Sequence, residues 1–401
     1  MIIPNNRAFQ LKNAIRDVAV IASNYEKKTG NKVLKLNIGD PLRYDFRTPE
    51  HMKRALSNAV MNDYNYYSES QGLLELREYI AHYENKKNKL ELTSDDILVT
   101  TGVSEAMNFT FASLLQQGDN VLVPGPTYPP YNAIIKFYGG KPVSYELIED
   151  ESWRPNIDDL RGKVDERTRA IVIINPNNPT GALFKKKEVK EIMDIAAEHN
   201  IPIISDEIYD LMVYDEEEFV SPTRIDNQEV PIIVFNGFSK VFFATGWRLG
   251  YVYLKDDNNQ LSDVWKAMNN LSRIRLCVTT PIQKAAVSAL KEPMDYFNNY
   301  MKMLKERRDF IYKRVNEIDG LEAQKPKGAF YIFPKITSSK YKSDYKFVMD
   351  MLYKANVLLV HGSGFDEVYG KMHFRSVFLP TIEALSTAFD RIEKVMKEKG
   401  E

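Results

Sequence analysis

The pattern of hydrophobic and polar positions along the chain predicts an α/β fold. From about residue 97, short apolar runs alternate with segments whose apolar residues recur at helical spacing. These runs are DILVTTG, NVLVPGP, RAIVIINP, IPIISDE, PIIVFNG and GYVYL. Apolar strands separated by helices are typical of a mainly parallel sheet that is covered on both faces. We therefore predict such a sheet in the middle of the chain.

The pattern changes after about residue 285. Residues 296–318 predict one long charged helix, and the runs KGAFYIFPKI, VLLVHGSGF and HFRSVFLP predict short strands of a smaller α+β unit. The early run KVLKLNIGDP lies outside the alternating pattern, and we assign it to the same unit. The predicted organisation is a large domain over residues 44–284, a small domain over residues 285–401, and an N-terminal segment, residues 1–43, that packs with the small domain.

Composition and charge favour a small-molecule ligand. The 401 residues carry a net charge of −1, which favours neither nucleic acid nor an anionic membrane. A single cysteine, Cys277, excludes an intramolecular disulfide, and the five histidines show no metal-ligand spacing. No apolar segment has the length of a membrane span or the form of an export signal. We therefore expect a cytoplasmic protein without a metal site.

Polar residues follow the ends of the predicted strands. In open α/β sheets, ligands bind at the carboxyl ends of the strands, so these residues should converge on one side of the sheet. The residues in such positions are Gly102, Ser104, Tyr128, Asn175, Asn178, Asp206 and Lys240.

Lys240 and Asp206 together suggest pyridoxal phosphate chemistry. That cofactor needs an amine to hold its aldehyde, a carboxylate to keep its ring nitrogen protonated, and a phosphate cradle. Lys240 follows an apolar strand and precedes Arg248 by eight positions, and Asp206 ends another apolar run. Asp206 could instead cap a helix, because Ser205, Asp206 and Glu207 all suit a first helical turn.

The other candidates also have simpler explanations. Asn178, in NPNNPTG, could serve only the turn, and Tyr128 could serve only core packing in a proline-rich loop. The residues from Gly102 to Ser104 could place a phosphate at a helix N-terminus, although many loops precede helices in this way. Arg375, flanked by apolar residues, could bind a carboxylate bidentately or form a structural ion pair.

With these motifs the chain resembles the class I pyridoxal phosphate-dependent aminotransferases of fold type I, and among them the archaeal-type alanine aminotransferases. The segments that carry the resemblance span nearly the whole chain: KVLKLNIGDP, TTGVSEAM, VPGPTYPPY, INPNNPTGALF, SDEIYDLMVY, FNGFSKVFFATGWRLGY, SRIRLC, KGAFYIFPKI and VLLVHGSGF. The resemblance implies a large domain with a mainly parallel sheet and a smaller α+β domain formed by the N- and C-terminal segments. It also implies ping-pong transfer of an amino group between amino acids and 2-oxo acids.

The resemblance assigns a role to each matching residue. Lys240 would form a Schiff base with the cofactor and move the proton, Asp206 would pair with the ring nitrogen, and Tyr209 would act with Asn178 at the phenolic oxygen. Tyr67 would reach the phosphate of the other subunit of a homodimer. The remaining roles are phosphate binding by Gly102, Val103, Ser104 and Arg248, ring stacking by Tyr128, and substrate binding by Gly39, Asn178 and Arg375.

One position departs from the family pattern. Many relatives have a phosphate-binding serine three residues before the lysine, where this chain has Gly237, so the role of the neighbouring Ser239 stays open. If the substrates are alanine and 2-oxoglutarate, a further cation must bind the side-chain carboxylate. Arg16, Arg273 and Arg275 are the candidates for that cation.

Four other functions compete with transamination of alanine. A different amino donor, or a fold type I lyase, would use the same Lys240 and Asp206. A ligand-sensing module of a transcription regulator would need a helix-turn-helix ahead of it, and about 35 residues before LNIGDP are too few. A nicotinamide-dependent dehydrogenase would need a glycine fingerprint after its first strand, which this sequence lacks.

Overall fold

The six apolar runs predicted from about residue 97 onward are strands of one eight-stranded sheet in the computed structural model, which describes residues 3, 5–9, 11–225 and 230–398. The strands of this sheet are β2 (Ile97–Thr100), β3 (Asn120–Gly125), β4 (Lys141–Ile148), β5 (Arg154–Pro155), β6 (Thr168–Ile174), β7 (Ile203–Asp206), β8 (Ile232–Gly237) and β9 (Gly250–Lys255). The order across the sheet is β2-β9-β8-β7-β6-β3-β4-β5. Strands β3, β4, β6, β7 and β8 are mutually parallel, whereas β9 and β5 run antiparallel to their neighbours.

The central strands are apolar throughout because both of their faces are covered. Along β6, Ile171 and Ile173 pack into one hydrophobic cluster, and Val172 and Ile174 pack into a second cluster on the other face. This arrangement confirms the prediction of a mainly parallel, doubly covered sheet. The apolar-run pattern missed β4, because that strand is only partly buried and mixes polar with apolar residues.

Helices cover the sheet and build the rest of the chain. In the described residues they are α1 (Asn6–Phe9), α2 (Ala14–Thr29), α3 (Glu50–Met61), α4 (Leu74–Asn88), α5 (Val103–Leu114), α6 (Pro129–Phe137), α7 (Ile157–Lys163), α8 (Lys186–Glu198), α9 (Ser262–Arg275), α10 (Thr280–Lys291), α11 (Asp295–Asn316), α12 (Asp344–Ala355) and α13 (Ile382–Lys397). The long helix predicted over residues 296–318 corresponds to α11. None of the described helices has the length and hydrophobicity needed to span a lipid bilayer.

Short strands near both ends of the chain form three small sheets. They are β1 (Leu34–Lys35), β10 (Leu321–Glu322), β11 (Tyr331–Ile332), β12 (Lys335–Ile336), β13 (Val357–Leu358), β14 (Val360–His361) and β15 (Phe374–Val377). Because β1 pairs in parallel with β13, the early strand joins the C-terminal segment, as the sequence suggested. The division into residues 1–43, 44–284 and 285–401 remains our proposal.

Candidate active site

Most of the predicted site residues line one cavity of about 430 Å³. The cavity lies where β6 and β7 end, at Ile174 and Asp206, and it also receives side chains from β15 and from the N-terminal segment. A larger, open depression of about 910 Å³, lined by residues such as Lys89 and Trp265, contains none of the predicted residues. The predicted residues in the smaller cavity are Gly39, Val103, Ser104, Tyr128, Asn178, Asp206, Tyr209, Lys240, Arg248 and Arg375.

Asp206 is a buried carboxylate held by two hydrogen bonds. The hydroxyl of Tyr131 donates to its Oδ2 at 2.8 Å, and the backbone N–H of Ile208 donates to its Oδ1 at 3.3 Å. Burial raises the pKa of Asp206 to about 6, although these donors and the charge of Lys240 act in the opposite direction. No α-helix begins at Asp206, since turns follow β7, so the helix-cap interpretation does not apply. Asp206 forms no ion pair with the described residues, and the charge of Lys240 acts on it only at a longer distance.

Lys240 follows β8 and reaches into the cavity. Its Nζ donates to the backbone carbonyl of Gly39 at 2.7 Å and lies 5.5 Å from the ring centre of Phe330 and 5.9 Å from that of Tyr209. Burial lowers the pKa of Lys240 to about 8, and the charge of Arg375 acts in the same direction. A lysine with this pKa has a substantial neutral fraction near pH 8, as a proton-transferring amine requires.

A possible anion cradle lies where α5 begins. Gly102 precedes the helix with a φ of 71°, and a Cβ at this position would lie 2.6 Å from Nη2 of Arg248. Arg248 donates only to the carbonyl of Thr245, at 3.3 Å, and forms no ion pair with the described residues. The free N–H groups of a helix N-terminus and an unpaired guanidinium together favour a phosphate.

The departure at Gly237 has a steric reason. A Cβ at Gly237 would lie 2.8 Å from Cα of Gly250 on the neighbouring strand β9. A serine therefore does not fit there without moving the backbone. Ser239 instead lines the cavity and is the available hydroxyl on this side.

Arg375 is a buried cation without an acidic partner. It is 1% exposed, its Nη1 donates to Oδ1 of Asn178 at 2.8 Å, and its Nη2 donates to the carbonyl of Asn37. Its Nε is buried and forms no hydrogen bond within the described residues. Burial lowers the pKa of Arg375, and no described carboxylate offsets that effect. The structural ion pair considered from the sequence is therefore absent, and the site has room for an external carboxylate.

Two tyrosines that sequence reasoning missed support the site, Tyr131 behind Asp206 and Tyr331 in the cavity lining. Tyr131 on α6 binds Asp206, and the hydroxyl of Tyr331 on β11 is 2.8 Å from that of Tyr209. The ring of Tyr331 also lies 4.5 Å from the guanidinium of Arg375. A signal existed for Tyr131, which follows Tyr128 by three residues and so lies one helical turn away. No local signal marked Tyr331.

The remaining candidates differ in position. Tyr67 is 81% exposed and does not line the cavity of its own chain. Arg16 and Arg273 are both exposed, but Arg16 lines the cavity and has no ion-pair partner among the described residues, whereas Arg273 does not line the cavity. Arg275 is occupied by Glu105 at 2.6 Å and by the carbonyl of Ser70 at 2.7 Å. The described residues contain no group of three or more side chains suited to a metal ion.

Comparison with known proteins identifies the family. Residues 31–392 match the model of the family described as aminotransferase class I and II. The chain belongs to this family. The match covers both the central sheet and the small sheets, so this aminotransferase contains the family fold over nearly its whole length.

Individual relatives show the same correspondence. The solved structure of an alanine aminotransferase from Pyrococcus furiosus is 56% identical, has a TM-score of 0.96, and covers 99% of this chain and 100% of its own. The glutamate-pyruvate aminotransferase AlaA of Haemophilus influenzae is 37% identical and covers 93% of this aminotransferase and 92% of its own length. An aromatic-amino-acid aminotransferase of Thermococcus litoralis is 36% identical and covers 92% of both chains.

Replacing Lys240 by Met should stabilise the cofactor-free aminotransferase below pH 8. Burial lowers the pKa of Lys240 from 10.5 to about 8. Between pH 8 and pH 10.5 the unfolded chain therefore binds more protons than the folded chain, so the contribution of Lys240 to the free energy of unfolding rises with pH over this range. At pH 7 we expect the variant to gain on the order of 1–3 kcal/mol in the free energy of unfolding. Denaturant titrations at several pH values should show this gain shrinking toward pH 10.5. The exposed Lys86→Met is the control, and a loss of stability in Lys240→Met at pH 7 would contradict the account.

Proposed function

We propose that this aminotransferase binds pyridoxal 5'-phosphate in the 430 Å³ cavity and transfers the amino group of L-alanine to 2-oxoglutarate, giving pyruvate and L-glutamate reversibly. The observation that carries the proposal is that one cavity contains a buried carboxylate, a lysine of lowered pKa and a buried unpaired guanidinium. A cationic ring, an aldehyde and a carboxylate are the groups that would complement these three side chains.

The donors in the cavity fit the cofactor. Asp206 would face the ring nitrogen, Tyr209 and Asn178 the phenolic oxygen, and the ring of Tyr128 the cofactor plane. The N-terminus of α5, with Ser104, Ser239 and Arg248, would hold the phosphate. When bound, pyridoxal phosphate supplies an aldehyde that captures an amino group and a protonated ring that withdraws electrons.

The chain supplies orientation and proton transfer. Arg375 would bind the α-carboxylate through its guanidinium, and Oδ1 of Asn178 fixes the plane of that guanidinium by accepting from Nη1. In its neutral form, the Nζ of Lys240 would take the proton from the substrate Cα. The protonated Nζ would then give this proton up again, which restores the neutral amine. The low pKa of Lys240 favours this neutral form.

The structure ranks the candidates for the second carboxylate site. Among Arg16, Arg273 and Arg275, Arg16 combines a position in the cavity with the absence of an ion pair among the described residues. We assign it to the side-chain carboxylate of glutamate and 2-oxoglutarate. Alanine carries no such group, so Arg16 would contact only one of the two substrate pairs.

Alanine is the donor that the relatives support best. The Pyrococcus furiosus and Haemophilus influenzae proteins are named for alanine and for glutamate and pyruvate, respectively. The Thermococcus litoralis relative is named for aromatic amino acids, so an aromatic donor is the second candidate. An aromatic side chain would need apolar space near Ile15, Ile38 and Tyr331, which also line the cavity.

The first test combines labelling with a donor panel. Borohydride reduction of the cofactor-loaded enzyme followed by peptide mapping should place the pyridoxyl group on Lys240, because this is the lysine that lines the cavity. With 2-oxoglutarate as acceptor, alanine should give the highest kcat/KM of a panel that includes aspartate, phenylalanine and tyrosine. Labelling at another lysine would overturn the site, and a clear preference for an aromatic donor or aspartate would overturn only the substrate.

The second test separates the two carboxylate sites. Arg16→Met should raise the KM for glutamate and 2-oxoglutarate by about tenfold or more and change the KM for alanine little, because one charged contact is worth about 1.5–3 kcal/mol. Arg375→Lys should raise the KM for every donor, because a point charge replaces a planar fork. If Arg273→Met rather than Arg16→Met weakened glutamate binding selectively, the cation would come from outside this cavity, and our assignment of Arg16 would be wrong.

We further propose that two chains share their active sites in a homodimer. Tyr66, Tyr67, Ile274 and Leu276 are large and more than half exposed. Their segments adjoin, since Arg275 donates to the carbonyl of Ser70 at 2.7 Å. An exposed apolar surface of this kind favours an interface. From it, Tyr67 would reach the phosphate in the neighbouring subunit.

Subunit mixing tests this arrangement. Tyr67→Ala and Lys240→Ala should each be nearly inactive, and a hybrid dimer should contain one intact site, formed by Lys240 of one subunit and Tyr67 of the other. Equal mixing with free exchange should therefore restore about a quarter of the wild-type activity, because about half of the dimers are hybrids with one site of two. Mixing Lys240→Ala with Asp206→Ala is the control, since both residues belong to the same site and no hybrid contains an intact one. No recovery in the first mixture, with exchange demonstrated by tagged subunits, would contradict the cross-site role of Tyr67.

A further inference from the structure

A second group of charged side chains is buried behind the segment that carries Asp206 and Tyr209. Glu84 and Lys87 come from α4, and Glu207 and Asp210 come from residues 206–210 themselves. The three acidic residues are at most 2% exposed, and the Lys87 side chain is 16% exposed. None of these four residues lines the cavity. The proposed chemistry therefore uses none of them directly.

Lys87 forms two ion pairs, one with Asp210 of the segment and one within α4 with Glu84. Its Nζ donates to Oδ2 of Asp210 at 2.6 Å and to Oε1 of Glu84 at 2.9 Å. Burial alone would lower the pKa of Lys87, but the carboxylates of Asp210 and Glu84 raise it well above its ordinary value. Asp210 also accepts from Nδ2 of Asn236 on β8 at 2.9 Å. The carboxylate is therefore fixed from both a helix and a strand.

The other two carboxylates are held by hydroxyl and amide donors. Glu84 accepts from the hydroxyl of Tyr251 and from Nδ2 of Asn88 at 2.8 Å. Glu207 accepts from Ser205 at 2.9 Å and from Ser221 at 2.6 Å. Burial raises the pKa of Glu207 to about 8, so this residue is largely neutral at pH 7. The ionic contact between α4 and the segment is thus the pair of Lys87 with Asp210.

Residues 206–210 have two opposite faces. Asp206 and Tyr209 line the cavity, whereas Glu207 and Asp210 join the buried network. The pKa of Asp206 depends on its burial, on the Tyr131 and Ile208 donors and on Lys240, none of which belongs to the network. Any effect of the network on Asp206 is therefore an effect on its position. Errors of about 1 Å in such a position can reduce a rate by about a hundredfold.

We propose that Lys87 is a positioning residue, whose ion pair with Asp210 holds residues 206–210 so that Asp206 and Tyr209 meet the cofactor correctly. This inference rests on the proposed binding of pyridoxal phosphate in the cavity. Lys87 acts through the segment and does not contact substrate or cofactor. Its loss should weaken cofactor binding more than it weakens binding of the amino acid, because Arg375 is held by β15 and by Asn178, outside the segment.

The experiment measures cofactor affinity, kinetics and stability in parallel. Pyridoxal phosphate is titrated by absorbance into cofactor-free wild type, Lys87→Met, Lys87→Arg, Asp210→Asn, the Lys87→Met/Asp210→Asn pair and the exposed control Lys86→Met. Lys87→Met should raise the Kd of the cofactor by about tenfold or more and lower kcat, because one partner of a buried ion pair is lost. The KM for alanine should stay within about twofold of the wild-type value. Lys87→Arg and Lys86→Met should stay within about threefold of the wild-type Kd, because both retain the ion pair.

The double variant tests whether Lys87 acts through Asp210. If it does, the double variant should bind the cofactor no more weakly than the weaker-binding single variant. If the two residues act independently, their effects on the binding free energy should add. Asp210→Asn keeps the size of the side chain and its contact with Asn236, so it carries the test if Lys87→Met does not fold. An unchanged cofactor Kd in Asp210→Asn or in folded Lys87→Met, with only a lower melting temperature, would overturn the proposal. Wild type that fails to bind pyridoxal phosphate would instead overturn the proposed function.

Discussion

Burying the carboxylate of Asp206 costs free energy that a cation in the cavity can offset, and the arrangement of the site follows from this constraint. The fold places Asp206 at the end of β7, between the parallel neighbours β6 and β8, where solvent is largely excluded. Tyr131 and the N–H of Ile208 satisfy two of its lone pairs without supplying a full positive charge. A protonated ring nitrogen would supply that charge and would be stabilised in return.

The same constraint applies to the other charged groups of the cavity. Arg375 is buried and Lys240 is partly buried, and burial lowers the pKa of each. Arg248 adds a third cation beside the N-terminus of α5; it is exposed and has no acidic partner among the described residues. Keeping Asp206 and Arg375 buried without an ion pair costs stability, since each would be easier to accommodate when neutral or paired, whereas the exposed Arg248 carries no such cost. The unpaired charges are therefore informative about the ligand, whereas the paired Arg275 is not.

The sequence predicted the parts of the fold and site that depend on local pattern. The central strands were recognisable because burial on both faces requires continuous apolar residues, whereas the partly buried β4 was not. Asp206 and Lys240 were recognisable because Asp206 ends one such strand and Lys240 follows shortly after another. Tyr131 and Tyr331 gained their roles from contacts across 75 and 122 residues of chain, which no spacing rule supplies. The choice among Arg16, Arg273 and Arg275 likewise required the positions of Glu105 and of the cavity.

The most direct test of the central claim is the turnover of Asp206→Asn with alanine and 2-oxoglutarate. Asparagine keeps the shape of the side chain and can still accept from Tyr131, so the change removes mainly the charge. The account predicts a fall in kcat of more than a hundredfold, corresponding to about 3–5 kcal/mol, with no loss of stability in the cofactor-free protein. Turnover close to that of the wild type would show that the Asp206 carboxylate does not serve as the partner of a cationic ring.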